Sequence, residues 1–188
     1  MYITDIVAVG TSSIEILKAD QTALSYVIST TGAAPNAGVP VSLSVYNNRL
    51  YVGCTTSIRR YDINPNATTA STFLTNEIIF FNVAGPIGTL ANPRAISISS
   101  SGRLYFTNNG INLYSSTEFT NDSPPPSPTV SSVPFNNSPF GISSPDVISV
   151  VNESGNDVIY VANVGTHRVI KINSTGGSGT PASLVAGN

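Results

Sequence analysis

The chain has 188 residues, of which 40 % are hydrophobic and 10 % charged, and its formal net charge is −2. The hydrophobic share suits a folded domain, whereas the charged share falls well below the roughly 25 % usual in soluble domains. The longest basic run, Arg59-Arg60, cannot supply the concentrated positive field that displaces counterions from nucleic acid, so no nucleic-acid partner is expected.

Ser, Thr and Asn make up about a third of the chain and must build its polar surface, a composition that suits an extracellular or assembly-bound β protein. No apolar run approaches the ~18 residues of a membrane span. The longest, Ile78-Ile79-Phe80-Phe81, is strand-length and ends at Asn82. Met1 is followed by Tyr2-Ile3-Thr4 without the basic and apolar regions of a secretory leader, so the chain reads as cytosolic or as a mature or partial segment. Cys54 is the single cysteine. No internal disulfide can form, and the thiol reads as a small buried hydrophobe.

Along the chain, short alternating segments follow one another. "YITD" opens it, then "SIEILKA" and "LSYVIST". "VPVSLSVYNNRLYV" reads as a hairpin, with "SIRRYDI" and then "STFLTN" or "IIFFNVA" behind it. "NPRAISISSSGRLYF", "GINLYSS" and "TVSSVPF" repeat the order, as do "SPDVISVVNESGNDVIYV", "HRVIKIN" and "ASLVAGN". Each hairpin starts behind a proline, where the missing N–H costs least. Each turns at a polar pair: Asn47-Asn48, Ser101-Gly102 and Gly155-Asn156. Tyrosine opens a common motif at positions 2, 51, 105 and 160, spaced by 49, 54 and 55 residues. No window shows a sustained helical period. Four strands per repeat, with a period near fifty, predict an all-β propeller with four-stranded antiparallel blades over approximately 1–34, 35–88, 89–138 and 139–188.

The last unit resembles an NHL repeat. Pro145, Tyr160-Val161-Ala162, His167-Arg168-Val169 and Val185-Ala186-Gly187 match that pattern, while Asn163 and Thr166 stand where the family has Asp and Asn. The other units share the strand pattern and the tyrosine motif. The resemblance implies a binding platform, an assembly module or, in some relatives, a lyase or lactonase. About 3.75 blades are present. An excised part of a longer chain, a four-bladed ring with a shortened first blade, and completion by another chain would each account for that number, and the first is the expectation.

Residues 121–128 form a proline-rich insert placed at a rim loop, where it interrupts no ladder and takes a stiff polyproline II course. It reads as a spacer or as a ligand for an SH3-like partner. Ser123-Pro124-Pro125-Pro126-Ser127-Pro128 also resembles the modules of hydroxyproline-rich surface glycoproteins, which would make these residues hydroxylation and O-glycan candidates. N-glycosylation sequons begin at Asn66, Asn121, Asn136, Asn152 and Asn173. About four or five would arise by chance in so Asn-, Ser- and Thr-rich a chain, but all five fall in predicted turns or loops.

No catalytic constellation stands out. His167 is the single histidine and occupies a structural place in the NHL pattern, so it is not expected to bind metal. The acidic residues show no recurring paired spacing. Asp5, Cys54, Asn108 and Asn163 occupy one repeat position, and short polar groups there suit turn capping. No cofactor or metal site is implied. The expectation is a non-enzymatic extracellular propeller module for protein–protein binding or structural assembly, with other protein chains and covalent glycans as partners. The alternatives are a lyase- or lactonase-type propeller with metal ligands elsewhere, and an ectodomain that binds glycan or peptide.

Overall fold

A computed structural model describes residues 2–5, 13–17, 23–27, 40–82, 93–108, 112–117, 129–133, 142–175 and 182–187. The protein is all-β, built as four antiparallel meanders in chain order. The first sheet has three strands: β1 (Tyr2–Asp5), β2 (Ser13–Leu17) and β3 (Ala23–Val27). The second has four: β4 (Pro40–Tyr46), β5 (Arg49–Cys54), β6 (Ser57–Ile63) and β7 (Leu74–Asn82). The third contains β8 (Ile96–Ile98), β9 (Leu104–Asn108), β10 (Asn112–Ser116) and β11 (Val130–Ser132). The fourth contains β12 (Pro145–Glu153), β13 (Asn156–Asn163), β14 (Arg168–Asn173) and β15 (Ser183–Ala186). In each sheet every strand pairs with its neighbours in sequence.

Local chemistry explains the boundaries. Asn47 and Asn48 both take positive φ, 48° and 54°, which is what a two-residue hairpin turn matched to the strand twist requires. In the last hairpin the turn falls one residue earlier than the sequence suggests. Ser154 and Gly155 carry the positive φ, and Asn156 already pairs with Glu153. The glycine adopts this conformation freely, and the asparagine then serves the ladder.

Segments 71–76 and 78–84 read as alternative fourth strands, but β7 draws on both. Asn76 bends it at φ 51°, and the pairing with β6 shifts register around that point, as a β-bulge does. A single helical turn, α1 (Ala70–Phe73), precedes β7 and departs from the all-strand expectation. Among the described residues no helix is long and apolar enough to cross a membrane.

The second, third and fourth sheets stack face to face. One core, with Leu50, Val52, Tyr61, Phe73 and Leu74, lies on the side of the second sheet away from the third. A second joins the second and third sheets through Tyr51, Ile58, Ile96, Leu104 and Phe106. A third joins the third and fourth through Tyr105, Leu113, Ile148, Ile159, Val161, Ile170 and Ile172. Strand β5 is buried from Leu50 to Cys54 because apolar side chains leave it on both faces. The main contacts between neighbouring sheets run through their first strands, β4 with β8 and β8 with β12.

Candidate interaction surface

A serine–tyrosine pair recurs on the leading face of each four-stranded sheet. Ser44 lies opposite Tyr51, Ser97 opposite Tyr105, and Ser149 opposite Tyr160. Alternation puts both members on the face directed at the next sheet. The tyrosine motif is legible in the sequence. Its serine partner is not, because the two lie 7, 8 and 11 residues apart depending on strand and turn length.

In the first two sheets of this series the next sheet covers the pair. Tyr51 and Tyr105 are fully buried, at 0 and 1 % exposure. Burial raises the phenol of Tyr51 and pushes that of Tyr105 up to about 12. Tyr105 donates its hydroxyl to Asp157 Oδ2 at 2.9 Å, across the seam. Ser97 Oγ accepts the backbone N–H of Val150 at 3.1 Å. Tyr46 Oη reaches the carbonyl of Ser100 at 3.4 Å, and Arg94 meets Asp146 at 3.2 Å. Gly53 permits close approach of the second and third sheets. A Cβ there would run into Ser42 Oγ and lie 3.2 Å from both Pro93 O and Ile96 Cγ2.

On the fourth sheet no sheet packs over the same face among the described residues. Tyr160 turns back on its own sheet, donating to Glu153 Oε1 at 2.7 Å. Lys171 binds the other carboxylate oxygen at 2.6 Å and sits 5.7 Å from the centre of the tyrosine ring. The Lys171 hydrogen bond, reinforced by that of Tyr160, holds the Glu153 carboxyl below its ordinary range. Around this cluster Val147 is 60 % exposed and Val151 41 % exposed. Val147, Ala162, Val169 and Ala186 align across the four strands. The last three line a largely apolar hollow of about 260 Å³ with Val164, His167 and Gly187. An exposed apolar face with a central aromatic is the kind of surface that marks a protein contact.

A second hollow, of about 170 Å³, is polar. It opens between the turns of the third and fourth sheets and includes Ser101, Arg103, Tyr105, Asn152 and Asp157 in its lining.

Several residues singled out in the sequence fall into place. His167 is exposed, in left-handed backbone at φ 55°, and closes a 3-10 turn by donating its N–H to Val164 O at 3.1 Å. Asn163 Oδ1 accepts the N–H of Ser143 at 2.9 Å and so ties the segment before β12 to the end of β13, while it makes no side-chain cap on the 3-10 turn that follows it, in contrast to the turn capping expected there. Cys54 is buried, and burial pushes its thiol up to about 11, which leaves little thiolate at neutral pH. Among the described residues no three His, Cys, Asp or Glu side chains gather to hold a metal ion. Asn66, Asn152 and Asn173 are exposed. Asn152 Oδ1 accepts the N–H of Gly155, and Asn173 Oδ1 accepts both the N–H and the hydroxyl of Thr175. Asn121, Asn136 and the insert with Ser123, Pro124, Pro125, Pro126, Ser127 and Pro128 lie outside the described residues.

No family model matches the chain, and no curated protein matches it. Among solved structures it is similar to a luciferin-regenerating enzyme at 19 % identity and a TM-score of 0.43. That likeness covers 79 % of this chain and 43 % of the other, so the chain spans less than half the length of that structure.

Proposed function

We propose that the chain is an NHL-like β-propeller segment, with units near 1–34, 35–88, 89–138 and 139–188, that acts as a non-enzymatic extracellular module for protein–protein binding and structural assembly. Support for the propeller comes from the series of meanders that meet through their first strands. Support for an extracellular glycoprotein comes from the low charge and from the exposure of Asn66, Asn152 and Asn173 in or beside turns.

The observation that carries the assembly role is the uncovered leading face of the fourth sheet. Tyr160, Val147 and Val151 present there what Tyr51 and Tyr105 bury against a following sheet. The occupant that matches is a sheet of the same repeat from a neighbouring copy of the protein, because the chain already makes this joint twice within itself. Such a head-to-tail contact uses two different faces and propagates into a closed ring or a fibre.

Sedimentation velocity over a wide concentration range tests the reading. Association above 19.6 kDa is expected, with loss of association in Val147→Asp/Val151→Asp and an unchanged thermal melt. A mass of 19.6 kDa at every concentration contradicts it. Glycopeptide mass spectrometry of the native protein checks its extracellular part: glycan is expected on Asn66, Asn152 or Asn173, and an unmodified mass contradicts it.

A further inference from the structure

We infer that the open face of the fourth sheet is met by the trailing side of β4 in a neighbouring copy, an inference that rests on the assembly reading and names the patch it needs. The first strands of the three four-stranded sheets share one pattern, Pro-x-x-(Leu or Ile)-Ser-(Val or Ile), over residues 40–45, 93–98 and 145–150. The serine points to the leading face, so alternation puts both aliphatic residues on the trailing one. In the third and fourth sheets these residues belong to the joint with the sheet before. Ile96 and Ile148 are buried there, and Ile98 and Val150 are half-buried. On β4 the same two positions are each more open, with Leu43 half-buried and Val45 52 % exposed. Thus β4 leaves the trailing half of a joint open, and the fourth sheet leaves the leading half open.

The covered joints give the register. Between the second and third sheets, a Cβ on Gly53 would lie 3.2 Å from Ile96 Cγ2, and Ile96 shares a core with Ile58. Gly53 and Ile58 lie opposite each other in their ladder, as Ala162 and Val169 do in theirs. In the fourth sheet this second pair lines the apolar hollow of about 260 Å³. Leu43 of the neighbouring copy, the counterpart of Ile96, therefore enters that hollow. The alanine methyl is no obstacle, because Thr107 occupies the same repeat position in the third sheet and is buried there. Further along the strands, Tyr46 and Ile98 pack against one core, which sets Val151 against Val45 of the copy. Ser97 Oγ accepts the N–H of Val150 at 3.1 Å, so Ser149 Oγ is placed to accept the N–H of Val45. That N–H lies on the edge of its sheet, as the N–H of Val150 does.

Within one molecule the third sheet stands between these two surfaces, so β12 of one copy meets β4 of the next. The contact uses two different faces and is head-to-tail. Both sides are apolar where they meet, and each burial of an aliphatic side chain favours association.

Cross-linking of full chains with a short bis-maleimide, in a Cys54→Ala background, reads the register. Val45→Cys chains carrying a mass tag are mixed with Val151→Cys chains at a concentration where sedimentation shows association. A mixed covalent dimer is expected, formed about tenfold or more faster than between Val45→Cys and Val185→Cys chains. Val185 is the control because it is exposed on the outer strand β15. Ala162→Leu in the Val151→Cys chain fills the hollow and should abolish that preference. Leu43→Ala in the Val45→Cys chain removes the inserted side chain from the other copy, and serves if Ala162→Leu does not fold. Equal rates overturn the inference, as do Val45→Cys chains that link to one another fastest, or a preference that survives both substitutions. Any of these with association intact leaves the assembly reading standing. A mass of 19.6 kDa at every concentration removes that reading and this inference together.

Discussion

Gly53 and Tyr105 show how the seams constrain single residues. A methyl at position 53 would press on Ser42 Oγ, Pro93 O and Ile96. Gly53→Ala should cost about 1–3 kcal/mol, as overpacking does, with urea unfolding as the measure. Tyr105→Phe keeps the ring but strands the Asp157 carboxylate, so a loss of about 1.5–3 kcal/mol is expected in the same assay. Tyr105 also ionises late. Its folded phenol sits near 12, against about 10 in the unfolded chain. A group raised in this way supports folding fully below pH ~10 and loses that support as pH climbs toward its folded value. Absorbance of the phenolate should show at least one tyrosine titrating near pH 12, well above the value of about 10 for a tyrosine in an unfolded chain. At this scale the tyrosines were legible in sequence and their role was not. Tyr51, Tyr105 and Tyr160 open near-identical motifs, yet two are buried against a neighbour and one is tied to Glu153. Burial depends on what lies across the seam, which no local pattern encodes.

Strand β7 shows the same limit one level up. Two apolar stretches in its region compete as strand predictions, and the bulge at Asn76 reconciles them by letting one strand continue after a change of register. The bulge is anchored by side chains: Asn76 donates to Asp62 Oδ2 at 2.9 Å, and Arg49 donates to Asp62 Oδ1 at 3.1 Å. Burial raises the Asp62 carboxyl, but the Asn76 and Arg49 hydrogen bonds outweigh it and leave it below its ordinary value. A depressed carboxylate contributes stability above its unfolded pKa and loses it as pH falls through the folded one. Stability should therefore decline below about pH 4. Asn76→Gly keeps the positive φ and removes the amide, so it should lower neutral-pH stability and flatten that acid decline. Urea midpoints between pH 7 and pH 2 would show it, and an unchanged acid slope would contradict it. The hairpin turns were legible because paired Asn or Gly residues punctuate the alternation. The last one shifted by a residue because Ser154, Gly155 and Asn156 are all good turn formers, and Gly155 tolerates positive φ best.

For the whole molecule, the period near fifty and four strands per unit were legible, since the three four-stranded sheets repeat an identical strand order and the first sheet has three strands in the same sequential order. Which face of the last sheet would be left open was not legible, because its strands carry the same pattern as the covered ones. The central claim is that the sheets radiate from their first strands, and paired spin labels measure this directly. In a Cys54→Ala background, one pair would join exposed positions on first strands, Val45 of β4 and Val151 of β12. A second pair would join exposed positions on fourth strands, Ile79 of β7 and Val185 of β15. Electron–electron distances should be clearly shorter for the first-strand pair than for the fourth-strand pair. Equal distances would mean sheets stacked in parallel layers, and that result would contradict the propeller.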